Sequence, residues 1–143
     1  MNVTIFKNFA DLNNPHTITV LDALNRIKSG KSKAQVDIIR EKEKLGQDTT
    51  EDKKALPCVV FSCAKTKGVP AKRGGYETHR EDASVAEHSG LFTLDFDKCD
   101  ISIKLEQLKK DPYIFAAWAS PSGTGVRALV KCPAKLDSHT LYY

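Results

Sequence analysis

The chain has no run approaching the roughly 20 apolar residues that a membrane span needs. Its first residues, Met1-Asn2-Val3-Thr4-Ile5-Phe6-Lys7, lack the long apolar core of a signal peptide. These absences set the expectation of a cytoplasmic protein with no membrane partner. The four cysteines, Cys58, Cys63, Cys99 and Cys132, form no Cys-x-x-Cys pair. That argues against a four-cysteine zinc ribbon and for reduced thiols. Cys58, Cys63, His79 and His88 would make a set of two cysteines and two histidines, but at no standard zinc spacing. Tyr76 is the only aromatic residue in the 65–80 segment, so platforms for stacked bases are scarce there. No Gly-Lys-Ser/Thr opens a helix, which excludes a P-loop. No glycine fingerprint stands between a strand and a helix, which excludes a Rossmann site.

What is present suits one domain. A chain of 143 residues buries about 68–70% of its unfolded surface and needs no disulfide or structural metal to fold. The net charge of +4 is modest, and its location says more than its size. Lys65, Lys67, Lys72, Arg73 and Arg80 lie in one stretch whose only acid is Glu77. Such a segment suits phosphate, in a nucleotide or a nucleic-acid backbone; a solvated loop has the same composition.

The apolar period divides the chain into a helical part, 1–56, and a sheet-forming part, 57–143. Val3–Phe6 reads as a short strand. Thr17–Lys28 reads as a helix on Ile18, Leu21, Leu24 and Ile27, ended by Gly30. Ser32 and Gln35 have capping-box spacing for a second helix carrying Val36, Ile39 and Leu45, stopped by Gly46. Within it, Arg40–Lys44 alternates in sign as an exposed face does. Asp48–Glu51 opens a short third helix that ends before Pro57. Cys58–Ser62 is β-prone, Lys65–Tyr76 reads as a loop, and Glu81–Glu87 as a helical turn. Leu91–Phe96, Tyr113–Ala119 and Val126–Lys131 read as strands. Ser102–Lys110, capped by Asp100, reads as a helix, and Ser120–Gly125 as a turn. The class is α+β, a mixed or antiparallel sheet with helices packed on it. The ending at Leu141-Tyr142-Tyr143 reads as the start of a helix, so a fragment of a longer protein is expected.

Two clusters carry chemistry. In Leu91–Asp97, alternation sends Phe92, Leu94 and Phe96 to one face and Thr93, Asp95 and Asp97 to the other. The two carboxylates leave one side of the strand end, roughly 7 Å apart at the backbone. Like charges so placed call for something positive between them. Mg2+ or Mn2+ favours carboxylate oxygen and supports in-line phosphoryl transfer. Asp at a strand end also serves simply as a turn or helix cap. The second cluster is Ser122-Gly123-Thr124-Gly125-Val126-Arg127. Its glycines permit close backbone approach, its amides can form an anion-binding concavity, and Arg127 can grip phosphate in a bidentate manner. A hairpin needing glycine for geometry alone reads the same way.

Leu56-Pro57, Val60-Phe61-Ser62, His88–Asp97, Asp111-Pro112-Tyr113 and Ser120–Arg127 together resemble the virulence-associated protein E N-terminal domain, over nearly the whole chain. That family is similar in turn to the archaeo-eukaryotic primase (primase-polymerase) superfamily. The resemblance implies a primase-polymerase-like core lacking its C-terminal part. It implies a metal-dependent nucleotidyltransferase of a mobile-element or phage replication protein, with Asp95 and Asp97 catalytic and metal-binding. Ser122, Gly123, Gly125 and Arg127 would hold nucleotide phosphates, with Arg127 where many relatives carry His. Lys72, Arg73 and Arg80 would contact the DNA or RNA template. Nucleoside triphosphates and a C-terminal helicase-like ATPase domain are the implied partners. A third carboxylate is expected beyond Tyr143, because Asp137 lacks the strand context, and weak or no synthesis is expected without it.

Two other readings compete. One is a non-catalytic nucleic-acid-binding domain of the same fold. The other is a haloacid-dehalogenase-type phosphohydrolase, disfavoured because Cys99 stands where Thr or Val follows Asp-x-Asp and because the strand lies late in the chain. His16 and His139 read as surface residues, His88 equally as a loop brace or as an acting residue, and Trp118 as core.

Overall fold

A computed structural model describes residues 1–70, 76–77 and 84–132 of the chain. Among the described residues ten strands and four helices follow one another, and every strand pairing is antiparallel. The fold is α+β.

The N-terminal half is built on β1 (Asn2–Phe6). Its β-branched and aromatic residues suit a strand covered on both faces, and Val3, Thr4 and Phe6 are all buried. β1 is the centre of a three-stranded sheet, flanked by β2 (His16–Thr19) and β3 (Cys58–Val60). Residues 16–19 therefore form a strand, not the first turn of a helix as the apolar spacing predicts. Thr19 marks the change. Its hydroxyl accepts the Asp22 amide at 3.1 Å and donates to the Asp22 carboxylate at 2.6 Å, which caps α1 (Val20–Lys28). The inward stripe of α1 is Val20, Ala23 and Leu24, while Leu21 is 63% exposed.

Gly30, at φ +67°, ends α1. α2 (Lys33–Lys44) follows Ser32, but the Ser32 side chain makes no capping bond, so the expected capping box does not form. Of its expected core residues only Ile39 is fully buried, and Leu45 is exposed. α3 (Thr50–Ala55) is tied to α2 by Lys42–Asp52 at 2.7 Å and Lys53–Glu43 at 3.4 Å.

After β3 the chain forms β4 (Cys63–Thr66), β5 (Val69–Pro70), β6 (Tyr76–Glu77) and β7 (Val85–His88), as two two-stranded pairs, β4–β7 and β5–β6. The loop expected over 65–76 is thus partly strand. The helical turn expected over 81–87 ends in a strand, and its first residues lie outside those described. Both misreadings have one cause. These strands are too short to show a period, and pairing with distant segments fixes them.

β8 (Leu91–Phe96), α4 (Ile101–Lys109), β9 (Ile114–Ala119) and β10 (Val126–Lys131) match the predicted elements within a residue. Their sheet has the order β8-β10-β9, so β8 and β9 run parallel to each other with β10 between them. α4 covers one face through Ile101, Leu105 and Leu108 against Leu94, Phe96, Val126 and Ala128. The opposite face, with Leu91 and Leu129, packs on Val3, Val20, Ala23 and Phe61. Trp118 joins that second core with its ring 5.5 Å from Phe61. Asp100 caps α4 by accepting the Ile103 amide at 2.9 Å. Asp100→Ala is expected to cost about 1 kcal/mol of stability, read as a lowered midpoint in urea denaturation.

All four cysteines are free. Cys63 is buried opposite His88, and burial pushes its thiol pKa up, which suits an inert core thiol. Among the described residues no group of three or more His, Cys, Asp or Glu is placed to hold a metal ion, and His79 lies outside them. Nor is any described helix long and apolar enough to cross a membrane.

Candidate functional site

The acidic pair and the glycine turn meet at one end of the β8-β10-β9 sheet. Asp95 on β8 stands directly opposite Arg127 on β10. Their side chains form an ion pair, Arg127 Nε to Asp95 Oδ1, at 2.8 Å. About half of each side chain is exposed, 46% for Arg127 and 55% for Asp95, so solvent screens the pair and it adds little to stability. On the other side of β10, Arg127 registers with Trp118 of β9. One row across the sheet therefore reads Asp95, Arg127, Trp118.

Asp97 follows the end of β8 and is exposed. Lys98, next in the chain, has φ 50°, a left-handed conformation that a non-glycine residue adopts at some cost. This turn is held in place from the glycine loop: the Cys99 amide donates to the Thr124 carbonyl at 3.2 Å. Sheet alternation predicts that Asp97 leaves on the side of Asp95, and the backbone bends just there. The positive group beside Asp95 is the Arg127 guanidinium.

The Ser120–Gly125 turn is closed by its own polar groups. The Gly123 amide donates to the Ser120 carbonyl at 3.0 Å, and the Gly125 amide to Ser120 Oγ at 3.2 Å. The hydroxyls of Ser120, Ser122 and Thr124 form a chain with spacings of 3.1 and 3.0 Å. The two glycine amides expected to cradle phosphate are therefore spent inside the turn in this conformation. The glycines have other tasks. Gly123 takes φ +73°. Gly125 lies so close to β8 that a β-carbon there would stand 2.4 Å from the Phe96 carbonyl oxygen. At the turn Thr124 and Arg127 are exposed, while Ser122, whose hydroxyl stands in the middle of that chain, is half-buried.

One residue at the site gave no signal in the sequence. Arg40 of α2 reaches across to the turn, its Nε 3.4 Å from the Pro121 carbonyl oxygen and its side chain beside Gly123. In sequence it belongs to a sign-alternating run that reads as solvated. Only the tertiary placement of α2 near the 120–125 turn brings it here. Lys72, Arg73 and Arg80, expected at a template, lie outside the described residues, as does Asp137.

An α+β module with a polar, charged strand-end site is the class these observations define. The sequence model of the family described as BT4734-like, N-terminal domain, matches residues 51–140, well over half of the chain. The chain belongs to that family. This overturns the resemblance to the virulence-associated protein E N-terminal domain and to the primase-polymerase superfamily. Within the strings that carried that resemblance, the chemistry-bearing Asp-x-Asp and Ser-Gly-x-Gly are short and recur on unrelated folds, so they do not fix a family. No curated protein and no solved structure matches the chain.

Proposed function

We propose that the strand-end site binds a divalent metal with a nucleoside triphosphate and serves metal-dependent nucleotidyl transfer on DNA or RNA. The observation that carries this reading is the Asp95–Arg127 pair at one end of the sheet, with exposed Asp97 two residues on and its backbone close to Gly125. The donor set suits Mg2+ or Mn2+. Such an ion is commonly held by one or two carboxylates, with water and substrate phosphate completing its shell. When bound, the ion would supply charge neutralisation and orientation for phosphoryl chemistry. Asp95 and Asp97 are the residues that would hold it. Arg127 alternates between two partners: without substrate it neutralises Asp95, and with substrate its guanidinium takes a phosphate oxygen and frees the carboxylate. Ser122 adds a hydroxyl donor at the rim.

A second reading is a metal-independent nucleic-acid-binding domain. Two observations favour it: Asp95 already has a cation, and the glycine amides are internally bonded. Calorimetry with Mn2+ and ATP separates the two. The Asp95→Asn/Asp97→Asn variant is expected to bind the metal–nucleotide on the order of 100-fold more weakly than the native chain. Equal affinity in both proteins removes the metal reading. Primer extension, active with the native protein and inactive with the variant, would carry the reading on to catalysis.

A further inference from the structure

We infer that the groove between β2 and the C-terminal half of α1 is a binding path for the phosphate backbone of a single nucleic-acid strand. It deepens the nucleic-acid side of the function proposed above, at a place separate from the Asp95–Arg127 site.

The groove has a volume of about 720 Å³ and is lined by Ile18, Asp22, Asn25, Arg26, Lys28, Ser29 and Lys31. Three cations face one anion there. Asp22 is engaged with the Thr19 hydroxyl at the opposite end of α1. Arg26, Lys28 and Lys31 make no ion pair with any described residue. This sets them apart from Lys33, Lys42, Lys53, Lys54 and Lys109, each of which pairs with a carboxylate.

Basic residues at a helix C-terminus often serve only to bond its last carbonyls. Here the backbone already does that. The Ser29 amide donates to Asn25, the Gly30 amide to Ile27 and the Lys31 amide to Arg26, at 2.8, 3.1 and 3.1 Å. The three side chains stay available within about two helical turns, each turn rising ~5.4 Å. The rest of the lining fits a nucleotide as well. Asn25 and Ser29 offer hydrogen-bonding groups, and Ile18 offers an apolar surface for a base or sugar. A repeating phosphodiester matches a closely spaced row of free cations better than a single small anion does.

The test is fluorescence anisotropy of a labelled oligo-dT strand against the native chain and two triple variants. Arg26→Gln/Lys28→Gln/Lys31→Gln is expected to weaken binding at least about tenfold at about 50 mM salt. It should also make the slope of log K against log salt less negative by about 2, at roughly 0.7 per phosphate contact. Lys53→Gln/Lys54→Gln/Lys109→Gln removes the same charge from paired lysines and is expected to leave the slope unchanged. Arg26→Lys/Lys28→Arg/Lys31→Arg, which keeps the charge, is expected to bind as the native chain does. Equal losses in both Gln variants would reduce the effect to net charge and overturn the proposal. So would equally tight binding of phosphatidylserine vesicles or polyglutamate. The two sites fail separately: the groove variant should keep Mn2+–ATP binding, and Asp95→Asn/Asp97→Asn should keep the salt slope.

Discussion

Gly125→Ala is expected to lower the unfolding free energy by about 2–3 kcal/mol, although it adds a single methyl group to a turn. The methyl carbon would stand 2.4 Å from the Phe96 carbonyl oxygen and 3.3 Å from the Asp97 α-carbon. Both are backbone atoms, so no side-chain rotation relieves the overlap. Either the turn lifts or the end of β8 moves, and the second outcome displaces Asp97. Two other glycines provide the scale. Gly46, at φ +66° with open space around it, should cost only the strain of a left-handed alanine, about 1–2 kcal/mol. Gly123, at φ +73°, carries that strain plus contact with the Arg40 side chain, which can swing away. Urea denaturation of the three alanine variants should place Gly125 lowest. A Gly125→Ala midpoint equal to or above that of Gly46→Ala would show that the turn is not seated on β8 as described.

Leu129→Ala should be costlier still, about 3–4 kcal/mol. Leu129 is fully buried on the central strand β10 and belongs to the cluster of Val3, Val20, Ala23, Phe61 and Leu91. That cluster joins the N-terminal sheet and α1 to the second sheet. Removing the side chain leaves a cavity at this junction that neither layer can close without moving the other. Unfolding should remain a single transition with a lower midpoint. Two resolved transitions, near-ultraviolet and far-ultraviolet circular dichroism melting apart, would mean that the halves fold separately and that the junction is weak.

The contrast between the halves shows what local pattern can specify. Leu91–Phe96, Val126–Lys131 and the α4 segment are long enough to display their period, and each carries its own stop signal. Asp100 caps α4, and the glycine turn closes β9 onto β10. Their limits were legible from residues adjacent in sequence. Residues 16–19, 63–66 and 85–88 were not. His16–Thr19 becomes a strand because β1 offers it a partner, and the four residues alone carry no sign of that partner. Val85–His88 depends in the same way on β4.

The candidate site divides similarly. Alternation along β8 predicts Asp95 on the face opposite Phe92, Leu94 and Phe96, and spacing from Gly125 puts Arg127 near the same strand end. The bond between Asp95 and Arg127 depends on cross-strand register, which pairs the two directly. The inward donation of the Gly123 and Gly125 amides depends on Ser120, whose carbonyl and hydroxyl accept both. Arg40 arrives from α2, roughly eighty residues earlier in the chain.

The amino-acid order by itself determined the α+β class, the strand that presents Asp95, the α4 cap and the glycines that end α1 and α2, because each rests on sterics and hydrogen bonds between near neighbours. Tertiary structure decided which cation faces Asp95, where the turn spends its amides, and which basic residues at the end of α1 pair with no described carboxylate. Those outcomes follow from distances between segments far apart in the chain, fixed only when two apolar faces close on Leu129.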